Sequence, residues 1–313
     1  MPIRTFQELR DAAAGAGPRR VAVVAAANRE TLEAAHEAHR AHIAECVLID
    51  EPGRLRREAE ALGLSLDGLD VVQARSREEA ARLSMEMARA GEVQVVMKGA
   101  LETAAFMRVA LDRETGVRES RLFTHVAVYE VPGYGRLLLI SDAGVVVAPD
   151  LAQKVEIVQN AIDVAHCLGL AEPKVAILAA AELVNPKIPT TLDAAILAKM
   201  AERGQIHGGI VDGPLALDNA ISEDSGRIKG IHSPVLGQAD ILIVPDVEAG
   251  NLLAKAITYF GKGEMAGVVV GGSVPLVVTS RSDSRVTKLI SIALGVLLAA
   301  GGCRDANAGG SRR

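Results

Sequence analysis

Near the end of the chain, four residues able to hold anions or move protons fall within five positions: Ser280, Arg281, Asp283 and Ser284. They follow an apolar run over residues 275–278 and precede a long helical pattern over residues 285–300. A second apolar run, residues 267–270, ends in the pair Gly271-Gly272. Ligands of open α/β sheets gather at the carboxyl ends of strands, where helix N-termini favour anions. The whole stretch from Gly271 to Ser284 therefore reads as an anion-binding and catalytic edge, with Gly272 and Ser284 among its binding candidates.

Other positions offer related chemistry. A strand over residues 93–97 ends in Lys98-Gly99, so that Lys98 could reach an anion while Gly99 permits close backbone approach. Arg108 sits one to two turns into the next helix, where a surface ion pair is the competing reading. Asp212-Gly213-Pro214-Leu215 ends another strand, and Asp212 could cap a helix there. At the following strand end, Asp246 could cap as well, and Asn251 could hydrogen-bond a phosphate or a carbonyl. His36, His39, His42 and Cys46 share a broad helical arc. Cys46, however, belongs to the next strand, and a solvated helix face explains the histidines better than a metal site does. The dinucleotide fingerprint G-x-G-x-x-G is missing after the first strand, and no G-x-x-x-x-G-K-[ST] loop occurs.

These candidates need a frame. Strands over residues 21–27, 44–49 and 93–97 alternate with helices over residues 30–42, 51–61 and 76–90, which indicates βαβ units and a mostly parallel sheet. Residues 124–130 and 136–140 flank Val-Pro-Gly-Tyr-Gly and predict a β-hairpin. Alternation then resumes: helix 151–168, strand 174–179, helix 190–202 and strand 208–211. A polar loop over 222–238 leads to strand 240–244 and helix 249–260. Two α/β lobes follow, one of residues 1–122 with 268–313 and the other of residues 123–267.

Composition sets limits. The 313 residues are 49% hydrophobic but only 2% aromatic, so the cores are aliphatic. A net charge of -5 argues against nucleic acid as partner, because backbone binding needs a basic surface. Three scattered cysteines without CxxC spacing suit a reducing compartment. The N-terminus has no apolar signal core, and the longest apolar run, 289–300, is too short to span a bilayer. No membrane association and a cytoplasmic location are expected.

The chain resembles the phosphate acetyl/butyryltransferase family, its phosphate butyryltransferase branch most closely. Five stretches in register carry the resemblance: residues 97–118 (MKGALETAAFMRVALDRETGVR), 124–144 (THVAVYEVPGYGRLLLISDAG), 184–222, 236–260 (LGQADILIVPDVEAGNLLAKAITYF) and 274–284 (VPLVVTSRSDS). The resemblance implies reversible acyl transfer between coenzyme A and inorganic phosphate. It also implies two lobes of the isocitrate/isopropylmalate dehydrogenase-like type, with the active site in the cleft between them, and a homodimer. No metal or organic prosthetic group is implied, coenzyme A entering as the thioester substrate.

The same resemblance makes Ser280 and Arg281 the catalytic pair. Ser280 would donate to the carbonyl oxygen or the thiolate, and Arg281 would hold phosphate oxygens through its planar fork. The acetyltransferase branch places an aspartate seven residues after the serine. Thr287 stands there in this chain, and Asp283 is the nearby carboxylate. Asp283 either takes the thiol proton or only caps the following helix. The expected acyl group is butyryl, with acetyl and branched acyl groups as alternatives. Two other readings are a nicotinamide- and metal-dependent dehydrogenase of the same architecture and a catalytically silent acyl-CoA or phosphate binder.

Overall fold

The computed structural model describes residues 1–280 and 282–301. The chain opens with helix α1 (Phe6–Gly15), followed by β1 (Arg19–Val24), α2 (Arg29–Arg40), β2 (Ala44–Asp50), α3 (Pro52–Leu62), β3 (Asp70–Gln73), α4 (Arg77–Arg89), β4 (Val95–Lys98) and α5 (Thr103–Ala110). A middle section supplies β5 (Thr124–Glu130), β6 (Leu137–Ser141), α6 (Leu151–Cys167), β7 (Lys174–Leu178), α7 (Pro189–Glu202), β8 (Ile210–Leu215), α8 (Leu217–Ile221), α9 (Glu223–Lys229), β9 (Ile241–Ile243) and α10 (Val247–Tyr259). The chain ends with β10 (Glu264–Val270), β11 (Leu276–Val277) and α11 (Arg285–Ala299).

Two compact units result. One, the inserted unit, comprises Met1–Thr5 and Leu122–Met265; the other, the terminal unit, comprises Phe6–Arg121 and the described residues from Ala266 onward. In the terminal unit the strands lie in the order β3, β2, β1, β4, β11, β10, parallel except for β10, which runs against β11. Gly295 lets α11 lie close on this sheet: a Cβ there would stand 3.0 Å from side-chain atoms of Val277 and Val95. Helix α11 thereby packs on β4 and β11 with its N-terminus directed to the loop after β11. In the inserted unit, β5 and β6 form the antiparallel hairpin foreseen from the Pro/Gly turn, and β9, β7 and β8 continue in parallel from β6. Its core is aliphatic, built on Ile140, Leu138, Leu242 and Val244, with Tyr129 the large aromatic within it.

Four local readings change. Helix α1 was not foreseen, although Phe6, Leu9 and Ala13 recur at helical spacing and are buried. Strand β3 is not evident in the sequence because it is only four residues long, Asp70–Gln73, with two valines too few to show a period. The polar stretch 222–238 contains α9, capped by Ser222, whose side chain accepts from the Ser225 N–H. Asp212 lies inside β8 rather than at a helix start, and α8 begins only at Leu217.

Candidate functional site

Because β1, β4 and β11 are parallel, the segments after Val24, Lys98 and Val277 leave the sheet at one edge. At the end of β1 the chain turns through Ala25, with φ 51°, and Ala27 N–H donates to the buried Asp50 carboxylate at 2.9 Å. Asn28 then caps α2, its side chain accepting from Thr31 N–H at 3.3 Å. Beside it, Gly99 N–H donates to Val24 O at 2.8 Å and Ala100 N–H to Ala25 O at 2.9 Å. A Cβ on Gly99 would fall well inside contact distance of both carbonyl oxygens. Glycine is needed here for packing against the end of β1, and the space foreseen for an anion is taken by that backbone. Lys98 is buried, and its ammonium donates to Leu101 O at 3.1 Å and Gly99 O at 3.4 Å. It braces the turn leaving β4.

After β11, Thr279 is buried with no hydrogen-bond partner for its hydroxyl oxygen among the described residues, while Ser280 is exposed. The Ser280 hydroxyl lies 3.0 Å from that of Ser282. Ser280 N–H donates to Asp283 Oδ2 at 2.7 Å, and Asp283 N–H donates back to Ser280 O at 3.2 Å. Asp283 is thus not the helix cap. That role belongs to Ser284, whose hydroxyl accepts from Thr287 N–H at 3.1 Å. Ser284 is accordingly committed to α11, and Thr287, in the position of the other branch's aspartate, lies in the first turn of that helix and donates to its cap. Arg281 lies outside the described residues.

The sequence reading overlooked Lys288. Only 2% of it is exposed, and its ammonium donates to Asp283 O at 2.7 Å and Ser280 O at 3.1 Å. Burial pushes its pKa below the usual lysine value, opposed by the charges of Asp283 and Glu30. A signal existed: Lys288 shares the buried face of α11 with Ser291, Ile292 and Gly295, a lone charge on an otherwise uncharged face.

The remaining candidates are dispersed. Gly272 pairs with Arg118 in the turn between β10 and β11, and Ser273 N–H donates to Val117 O at 2.9 Å. Since β10 is antiparallel to β11, this glycine pair sits at the amino end of β11, opposite Ser280. The expectation of one continuous edge from Gly271 to Ser284 is corrected. In the sequence both apolar runs point to one edge, whereas the chain reverses between them. Arg108 is exposed in a cavity of about 440 Å³ shared with Glu79, Arg82 and Asp112. Asn251 is exposed on α10 of the inserted unit, behind the cap Asp246, whose carboxylate accepts from Ala249 N–H at 2.8 Å.

Among the described residues, no group of three or more His, Cys, Asp or Glu is placed to hold a metal ion. Cys46 is buried in β2 with its thiol pushed up to about 12 by burial. His36 is pushed down by burial and by Arg40 and His39. No described helix is long and apolar enough to cross a membrane.

Comparison with known proteins adds to this geometry. Residues 77–296 match the family model described as phosphate acetyl/butaryl transferase. The chain is 43% identical to a phosphate acetyltransferase of Thermotoga maritima over 94% of its own length and 99% of the relative's. It is 40% identical to a phosphate butyryltransferase of Clostridium acetobutylicum, covering 95% and 99% of the two chains. Among solved structures, a branched-chain phosphotransacylase from Enterococcus faecalis matches with a TM-score of 0.81 and 31% identity over 90% of this chain and 99% of that one. A 4-hydroxythreonine-4-phosphate dehydrogenase from Salmonella typhimurium, described as putative, matches with a TM-score of 0.56 at 13% identity, covering 90% and 99%. That likeness concerns the fold alone and identifies it as dehydrogenase-like.

Proposed function

Because this chain belongs to the phosphate acetyl/butaryl transferase family, we infer that its reaction is reversible transfer of a short acyl group between coenzyme A and inorganic phosphate, and we propose that the edge bearing Ser280 and Asp283 performs it. The observation that supports this assignment is the mutual bonding of these two residues. A carboxylate is held 2.7 Å from the Ser280 N–H beside an exposed hydroxyl, at a carboxyl strand edge and a helix N-terminus.

The chemistry follows from the residue types. In the direction of acyl-CoA synthesis, the coenzyme A thiol gives its proton to Asp283, and its sulfur attacks the acyl carbon. The C–S bond forms, the C–O bond to phosphate breaks, and phosphate leaves with that electron pair. In the other direction phosphate oxygen attacks the thioester, and the departing sulfur regains the proton. Ser280 donates a hydrogen bond to the acyl oxygen as it gains charge, and Arg281 holds the phosphate oxygens bidentately. Positioning and charge stabilisation supply most of the acceleration. The reaction needs no metal or prosthetic group on this reading. Arg108 and Asn251 are the more peripheral candidates for contacts to phosphate or coenzyme A.

Identities of 43% and 40% to an acetyl- and a butyryltransferase do not choose the acyl chain. Butyryl is proposed from the resemblance of the motifs. The chain's expected setting is cytoplasmic, and its expected assembly is a homodimer. The exposed apolar side chains of Leu252, Tyr259 and Phe260 on and after α10 support self-association.

One assay tests the reaction. Thiol release from butyryl-CoA should begin only on adding phosphate and should persist in a metal chelator without nicotinamide. Release abolished by the chelator and restored by a divalent metal, or nicotinamide reduction in its place, would favour the dehydrogenase reading. Tight binding without release would mark a silent binder. A kcat/KM for acetyl-CoA above that for butyryl-CoA would reassign the acyl group. One or two methylenes are worth only about 1–3 kcal/mol each in a pocket.

A further inference from the structure

We propose that Lys288 is a positioning residue for acyl transfer, clamping the two ends of the segment that carries Ser280 and Asp283; this rests on the assignment of those two residues to the reaction. Its ammonium reaches both carbonyls at once, Ser280 O at 3.1 Å and Asp283 O at 2.7 Å. The same two residues are tied to each other by Asp283 Oδ2 and the Ser280 N–H at 2.7 Å. Together these bonds fix the direction in which each peptide unit faces, and with it where the Ser280 hydroxyl and the Asp283 carboxylate emerge.

Geometry alone sets Lys288 apart from an ordinary surface lysine. It is 2% exposed, and no carboxylate of a described residue lies within ion-pair distance of its ammonium. Glu30 on α2 and Asp283 act on it only through space. Other cations near the start of α11 are used differently: Arg285 pairs with Glu37 at 3.5 Å on the exposed side. A buried ammonium without a counter-ion is costly, and hydrogen bonds to backbone carbonyls offset only part of that cost. Stability alone would favour an apolar side chain on this face of α11, which otherwise presents Leu289, Ile292 and Val296 to the core. The lysine is accounted for by what it holds. Charge-assisted bonds are about twice as strong as neutral ones, and a catalytic group must stay within about 0.5 Å of its productive place.

The test compares Lys288→Met, which keeps length and apolar packing, with Lys288→Arg, which keeps charge and donors. In the phosphate-dependent release of coenzyme A, Lys288→Met should lower kcat at least tenfold while the KM for acyl-CoA moves less than threefold. Lys288→Arg should recover a large part of kcat. Amide hydrogen exchange in the methionine variant should quicken at Ser280, Ser282 and Asp283 but not at Ile292 or Leu294 in the body of α11. Should the methionine variant fail to fold, Lys288→Gln, a shorter donor reaching one carbonyl, takes its place and should give a kcat between methionine's expected value and wild type. A folded methionine or glutamine variant with wild-type kcat overturns the proposal. So does a loss of rate that arginine does not restore and local exchange does not accompany. Phosphate-dependent release absent from the wild-type protein would instead overturn the reaction assignment, and a fully active Ser280→Ala variant would overturn the choice of site.

Discussion

Asp283 meets Ser280 through the backbone N–H and leaves Ser284 to cap the helix. This separates two roles that the sequence left entangled. Asp283→Asn keeps an oxygen able to accept the Ser280 N–H but removes the basicity. Consumption of acyl phosphate with coenzyme A should fall by about 10²–10⁴-fold, as is usual on losing a general base. It should recover in part as the pH nears ~8.5, where a thiol supplies its own thiolate. A near-normal rate at neutral pH would leave Asp283 with only its bond to Ser280. For Arg281, the planar fork rather than the charge is the argument. Arg281→Lys should raise the KM for phosphate and lower kcat with the fold intact, and unchanged phosphate kinetics would remove it from the site.

At the scale of the element, the parallel run of β1, β4 and β11 and the start of α11 place these groups. Ser284→Ala removes the cap of α11 and should cost about 1 kcal/mol, read as a lower midpoint in denaturant. Ser284→Asn should restore most of it, since asparagine caps comparably well. Gly99→Ala tests the neighbouring strand end. Its methyl would press on the carbonyl oxygens of Val24 and Ala25 at the end of β1, so stability should fall sharply. An alanine variant as stable as wild type would show that the ends of β1 and β4 can part without cost.

For the molecule as a whole, the most exposed large apolar side chain after Met1 is Phe260, at 89%, and with Leu252, at 72%, it lies on the inserted unit. Leu252 and Tyr259, seven residues apart, share one face of α10, and contiguous apolar faces mark association surfaces. Sedimentation of the wild-type protein should give a dimer, and Phe260→Glu with Leu252→Glu should give a folded monomer. A wild-type monomer at micromolar concentration, or a charged double variant that remains dimeric, would locate self-association elsewhere or nowhere.

The sequence by itself determined the α/β class, the hairpin at Val131-Pro132-Gly133 and the helix beginning at Arg285, because turn residues and apolar periods are local signals. It also singled out Ser280 and Asp283, since a cluster of hydroxyls and charges between an apolar run and a helix stands out in one dimension. Tertiary structure alone decided which of the neighbours share an edge. The reversal between β10 and β11 carries Gly272 to the far end of the strand, a fact about pairing direction that no spacing encodes. Gly99 is legible as a place of close approach, but what approaches is the end of β1, Val24 and Ala25, from the first strand of the chain. Lys288 remained hidden because a lysine in a helix is ordinarily read as solvated. Only the packing of α11 onto the sheet, which Gly295 permits, buries its stem and brings its ammonium beneath Ser280 and Asp283.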